Sequence, residues 1–131
     1  MQAGRELDKL VAENVMGWRE CKVGIEQDIK GLVGFGLDRQ GQFRRSFPEY
    51  STNIADAWLV VEEMAKRSNA LALQAPGSTD MNEAYRDFTR WTADFDTNNI
   101  RVHTEAEGDT APHAICLAAL RIVRYSFPEE G

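Results

Sequence analysis

Histidine, cysteine and lysine are scarce in this chain: it holds two, two and four of them in 131 residues. Cys21 and Cys116 are isolated from one another and from any second cysteine, so neither a secreted disulfide framework nor a Cys-rich zinc site is on offer; they read as reduced, cytosolic thiols. Only His103 and His113 can serve as a histidine base, and no Ser or Cys stands in a nucleophile-elbow context, which leaves a nucleophilic triad unsupported. No apolar run reaches 18 residues, and Met1 to Asp8 is polar without a signal-type core, so the expected place is the cytoplasm. Positive charge is short as well. A formal net charge of -6 excludes non-specific binding along DNA or to an acidic membrane. Eleven of the fifteen cations are Arg, the better planar fork for phosphate or carboxylate.

A hydrophobic share of 43% against 27% charged residues is that of a soluble globular protein. One domain, 1–131, with a single core is expected at this length. Three segments carry helical periodicity. Residues 4–17 set Leu7, Leu10, Val11, Val15 and Met16 against Arg5, Asp8, Lys9 and Glu13, and Gly17 supplies a left-handed stop. Residues 51–67 follow a cap at Ser51 or Thr52 and repeat Ile54, Trp58, Val61 and Met64, with Asp56, Glu62 and Glu63 read as a solvated face. Residues 111–125 follow Asp109-Thr110 as cap, carry Pro112 in the first turn, and set Ile115, Ala118, Ala119, Ile122 and Val123 on one face. Another face of this last helix aligns His113, Leu117 and Arg121, with Arg124 one turn on.

Between the helices the pattern is that of strands. Residues 32–37 and 43–47 fit two short strands around the turn Asp38-Arg39-Gln40-Gly41-Gln42. Gly31-x-x-Gly34-x-Gly36 has the wrong order for a dinucleotide fingerprint, and no Gly-Lys-Ser/Thr follows. Ala70 to Ala75 is a short apolar piece before a Pro76–Asp80 loop. Residues 85–95 then alternate, with Trp91, Ala93 and Phe95 opposed to Phe88, Arg90, Thr92 and Asp94. A turn at Asp96-Thr97-Asn98-Asn99 leads into 100–107, where Ala106 opposes His103, Glu105 and Glu107. The sum is an α+β domain: three helices packed on a small antiparallel sheet, an α-β-α sandwich.

Two clusters carry candidate chemistry. His103, Glu105 and Glu107 share a strand face, with Asp94 beside them, as a hard divalent cation for phosphate chemistry requires; the solvated side of any strand has the same composition. Phe88, Arg90, Asn98, Asn99, Arg121 and Arg124 form the second cluster. An exposed aromatic stacks on a base, Asn reads a base edge or ribose, and Arg forks neutralise phosphate. Arg121 and Arg124 equally suit the dipole at a helix C-terminus. His113, in a first helical turn, is placed for a neutral imidazole donating to a ligand or to a backbone carbonyl, or is simply a surface residue. Trp18, Phe47, Tyr50 and Phe127 fall outside the periodic stripes and are free for a subunit contact.

The run from Pro48 to Trp58 with Val60-Val61-Glu62, the run from Thr110 to Arg121, and between them Trp91 and Glu105-Ala106-Glu107-Gly108 resemble the signature segments of the phage ABA sandwich domain family. With Met16-Gly17-Trp18 the resemblance covers most of the chain. It implies a phage origin and an antiparallel sheet with helices packed on it. The pattern is also similar to the first type of Thoeris anti-defence protein, a sponge that holds cyclic ADP-ribose signals, and in some relatives cyclic oligonucleotides, without cleaving them. That resemblance implies a cyclic nucleotide ligand, no cofactor, no metal and no catalytic residue, a homo-oligomer from a dimer up to a hexamer, and action in the cytoplasm of the infected bacterium. The family's two phosphate-holding basic residues, one turn apart, match Leu117 and Arg121 here, so Arg124 replaces the missing one. Its stacking aromatic and ligand-contacting Asn fall at Phe88 and at Asn98 or Asn99. A metal-dependent phosphodiesterase using His103, Glu105 and Glu107, and a phage interaction protein with no small ligand, are the competing readings.

Overall fold

The computed structural model describes residues 1–25, 32–77, 89–97 and 105–123. Within them stand three helices, α1 (Arg5–Asn14), α2 (Ile54–Lys66) and α3 (Ala111–Ile122), and six strands. β1 (Arg19–Ile25), β2 (Leu32–Leu37) and β3 (Phe43–Arg44) make one antiparallel sheet; β4 (Asn69–Gln74), β5 (Trp91–Thr97) and β6 (Ala106–Gly108) make another. The α+β class holds, but the single small sheet of the sequence reading is two three-stranded sheets. β1 and β4 were not legible as strands. A bulge between Arg19 and Lys22 breaks the register of β1, and Ala-Leu-Ala-Leu in β4 has no polar face to alternate with.

α3 is the centre of the molecule. Every residue from Ala111 to Leu120 is buried, and the helix packs on β5, β6, α1 and α2. The expected outward face therefore does not exist along its body, and its high apolar content on all sides is the physical reason. Thr110 caps it by accepting the His113 N–H, with Pro112 in the first turn. Gly108 lets β6 approach this end, where a Cβ would stand 2.5 Å from the Ala114 nitrogen. Ala93, Phe95 and Ala106 form the sheet surface that joins the same core.

α1 stops at Val15, and Gly17 then takes the expected left-handed conformation, φ 80°. α2 starts later than the sequence implied. Its cap is Asn53, which accepts the Asp56 N–H; Ser51 bonds instead to Asp8, on α1. The stripe of α2 is rotated too. Ala57, Val60, Val61 and Met64 are buried, while Ile54 and Trp58 are 53% and 51% exposed. Glu63, expected in the solvated face, is buried between Arg39 and Arg67. The C-terminal limits shift as well. Asp96 and Thr97, read as a turn, complete β5 opposite Ala70 and Asn69. Residues 85–88 and 100–104, expected in strands, Asn98 and Asn99, expected in the turn, and Arg124 and Tyr125, expected in the last helix, lie outside the described residues.

The first sheet is anchored on Phe47. Its ring lies against Gly34, where a Cβ would meet Phe47 Cζ at 2.1 Å, and Arg5 stacks on it 4.4 Å from the centroid. Arg5 also donates to the Phe47 carbonyl at 2.6 Å and pairs with Asp8 at 2.8 Å. Phe47 and Tyr50 are each 1% exposed, so neither is free for the subunit contact expected of them.

Candidate functional site

The residues singled out from the sequence fall at two ends of α3. Thr92 lies on the face of β5 opposite Ala93 and Phe95, and Arg90 stands in the bend just before that strand. Arg90 reaches Glu107 Oε2 at 3.9 Å and Asp109 Oδ1 at 3.4 Å, yet its buried Nε makes no aligned hydrogen bond. Thr92, paired in register with Gln74 and Glu107, is 5% exposed, and its Oγ1 has no partner. This face was expected to be solvated; it is a partly closed polar surface with unused hydrogen-bonding capacity, and an unpaired buried hydroxyl is costly.

His113 is not a surface residue. It is 3% exposed and both ring nitrogens are used: the Asp109 N–H donates to Nδ1 at 3.1 Å, and Nε2 lies 2.7 Å from the Met1 carbonyl. Because Nδ1 accepts, Nε2 carries the hydrogen and donates to Met1. Of the sequence-based options, the bond to a backbone carbonyl is the one realised. His113 ties the N-terminus to the start of α3 and has no ring nitrogen left for a ligand.

Arg121 is exposed at the other end of α3 and donates to the Glu105 carbonyl. Eight residues separate it from His113, about 12 Å along a helix axis. The Arg121 side chain reaches back to Glu105, two residues before the Glu107 that Arg90 faces. Leu117, the position where a basic residue is missing, is 9% exposed and belongs to the core. Phe88, Asn98, Asn99 and Arg124 lie outside the described residues. So does His103 of the alternative metal site. Of its other members Glu105 is exposed and Glu107 faces Arg90, and among the described residues no three His, Cys, Asp or Glu side chains stand together as a metal site.

A concavity away from these residues escaped the sequence reading. An open groove of about 470 Å³ runs between α2 and the Asp38–Gln42 turn, lined by Trp18, Arg39, Gln40, Arg44, Leu59 and Lys66 among others. Arg39 donates to both Glu63 oxygens, at 2.9 and 3.3 Å, and through Nε to the Met16 carbonyl at 3.2 Å. Asp38 Oδ1 accepts the N–H groups of Gln40 and Gln42, and Oδ2 accepts Arg44 Nε at 2.9 Å. Those bonds hold the carboxyls of Glu63 and Asp38 below the usual range, Arg39 being the main cause for one and Arg44 for the other. Tyr50, which also lines the groove, is pushed up by burial. The only sequence signal was an Asp opening a Gly-containing turn with an Arg six residues on, which reads as a turn and nothing more.

The phage ABA sandwich domain profile matches residues 9–120. The chain belongs to the phage ABA sandwich family. A crystal structure of a phage protein from Bacillus cereus ATCC 14579 is similar over 92% of this chain and 90% of that one, with 25% sequence identity and a TM-score of 0.58. No curated protein matches. The chain is thus a phage-protein domain, and among its described residues no helix is long and apolar enough to cross a membrane.

Proposed function

We propose that this ABA sandwich domain is an anti-defence sponge, which captures a cyclic nucleotide immune signal in the infected host and holds it uncleaved. The ligand class is a cyclic ADP-ribose isomer or a cyclic oligonucleotide. Support comes from the family, from the likeness of the two signature segments to the first Thoeris anti-defence type, and above all from one structural observation. Thr92 Oγ1, on β5, and Arg90 Nε, in the bend before it, are buried without an aligned partner. A bound polar ligand that reached them would remove a penalty of about 1–3 kcal/mol for each unsatisfied group.

In this reading Phe88 stacks on a base, Asn98 and Asn99 read its edge or the ribose, and Arg121 and Arg124 fork the phosphates. His113 enters only by fixing the start of α3. The reading includes a homo-oligomer, in which two or more chains share each ligand. The function needs no general base, metal or cofactor.

Calorimetric titration with cyclic ADP-ribose isomers and cyclic di- and trinucleotides tests the assignment. Replacing Arg121 or Arg124 by Ala removes a charge-assisted hydrogen bond of roughly 1.5–3 kcal/mol, so affinity falls about ten- to a hundredfold. Unchanged affinity in the double variant takes α3 out of the site. A second reading, an interaction protein without a small ligand, draws on the exposed Ile54 and Trp58 of α2, and binding of no nucleotide in the panel favours it.

A further inference from the structure

The groove beside α2 shares no lining residue with the Arg90 and Arg121 clusters, and its chemistry is different. Its acidic walls are saturated. Both oxygens of Asp38 and both of Glu63 already accept hydrogen bonds, from Arg44 and backbone N–H groups in one case and from Arg39 and Arg67 in the other. What remains uncommitted is mostly donors. Lys66 has no hydrogen-bond or ionic partner among the described residues, Arg44 spends Nε and Nη2 but not Nη1, and the Gln40 amide group is unused. Glu62 is the one free carboxylate on the wall.

The floor is apolar. Trp18 is half-buried, its ring edge-on to Phe47 at 6.2 Å, and it lines the groove together with Leu59 and Met16. The guanidinium of Arg39 is fixed at the rim by its two bonds to Glu63, and it can pass over the chain at Gly17 because no side chain intervenes: a Cβ there would be 3.0 Å from Arg39 Nε. A site with a ring-sized apolar floor, a wall of unspent N–H donors and a volume within the range of small-molecule pockets recognises one class of compound.

We infer that the groove binds an aromatic phosphate monoester, its ring on Trp18 and Leu59 and its terminal phosphate on Lys66, Arg44 Nη1 and Gln40. Such a ligand has a terminal dianion, which cyclic phosphodiesters lack, so this site is separate from the one proposed for the cyclic signal. A tetrahedral phosphate has acceptors enough for all three donor groups, and the guanidinium and ammonium supply its countercharge.

The probe is adenosine 5′-monophosphate, titrated calorimetrically into the full chain, with adenosine and inorganic phosphate as its two halves. The inference expects saturable binding with one site per chain, and much weaker binding of either half. Lys66→Ala, at an exposed position, lowers the affinity about tenfold or more. Leu59→Glu, which places a carboxylate at the half-exposed floor, abolishes binding while the circular dichroism spectrum is kept. Arg121→Ala leaves the monophosphate affinity unchanged, so failure here and failure of the sponge reading are told apart. Absence of binding at millimolar monophosphate overturns the inference. So does binding that Lys66→Ala and Leu59→Glu leave intact, or binding that Arg121→Ala removes.

Discussion

Ser51 and Asp8, forty-three positions apart, form a buried two-point contact. The Ser51 N–H and hydroxyl stand 2.7 and 2.6 Å from the same carboxylate oxygen, Asp8 Oδ1, while Arg5 pairs with the other at 2.8 Å. The hydroxyl also accepts the Gly4 N–H at 2.9 Å. One serine thus fastens the start of α1 to the segment that leads into α2. Ser51→Ala should cost about 1.5–3 kcal/mol, the usual loss for a hydrogen bond to a charged group, and Asp8→Ala more, since it leaves Arg5 without its carboxylate. Urea denaturation of both single variants and the double variant gives the coupling directly.

Two sets of carboxylates make stability depend on pH in opposite senses. Glu63 and Asp38 are held low, by Arg39 and Arg44 respectively, so their contribution is complete above the ordinary carboxylate pKa and is lost as pH falls through the lowered folded-state value. Asp8 is raised, burial outweighing its bonds to Ser51 and Arg5. Its contribution is complete below the ordinary value and declines as pH rises through the raised one. Urea midpoints measured between about pH 2 and pH 7 should therefore show a shallower acid limb in Glu63→Gln and a shallower neutral limb in Asp8→Asn.

Gly108 and Gly34 are both closed to a side chain, for different reasons. At Gly108 the obstacle is backbone, the nitrogen and Cα of Ala114 at 2.5 and 2.9 Å; at Gly34 it is the ring of Phe47, itself buried. Ala at either position should destabilise by roughly 1–3 kcal/mol, as overpacking does, with Gly108→Ala also shifting α3 away from β6. Chemical denaturation and the near-ultraviolet signal of Trp91, opposite Gly108 in the sheet, check this.

The three helices were legible because their apolar spacing is regular and their stops are chemical: Gly17 in left-handed geometry, Thr110 and Pro112 at a helix start. What escaped depended on contacts distant in sequence. Ser51 has the chemistry of a cap, and only the fold shows that Asp8 takes it. Ile54 and Trp58 match the helical repeat as well as Val61 and Met64 do, so periodicity alone could not say which side of α2 faces α3. For His113 a ligand, a backbone carbonyl and the open surface all fit the sequence, and the choice among them is made by the N-terminus, whose Met1 carbonyl meets the buried ring. The groove was invisible because its walls, Trp18, the Asp38–Gln42 turn and Lys66, come from three separate stretches with no shared motif.

Ile54 and Trp58 replace Phe47 and Tyr50 as the apolar surface available to a second chain. The sponge reading expects a dimer or a larger assembly, up to a hexamer, and light scattering at micromolar concentration measures it. A monomer across that range contradicts the shared-ligand arrangement. If α2 is the contact, Trp58→Glu shifts the mass toward the monomer without unfolding the chain, since the position is 51% exposed.

The central claim is capture without cleavage, and native mass spectrometry tests it most directly. The full chain is mixed with cyclic ADP-ribose isomers and with cyclic di- and trinucleotides, the complex is weighed, and the released ligand is weighed again after denaturation. The account predicts one of these ligands bound at a defined number per oligomer and recovered at its original mass. Recovery of a linear or hydrolysed product, or no retained ligand from any member of the panel, contradicts it.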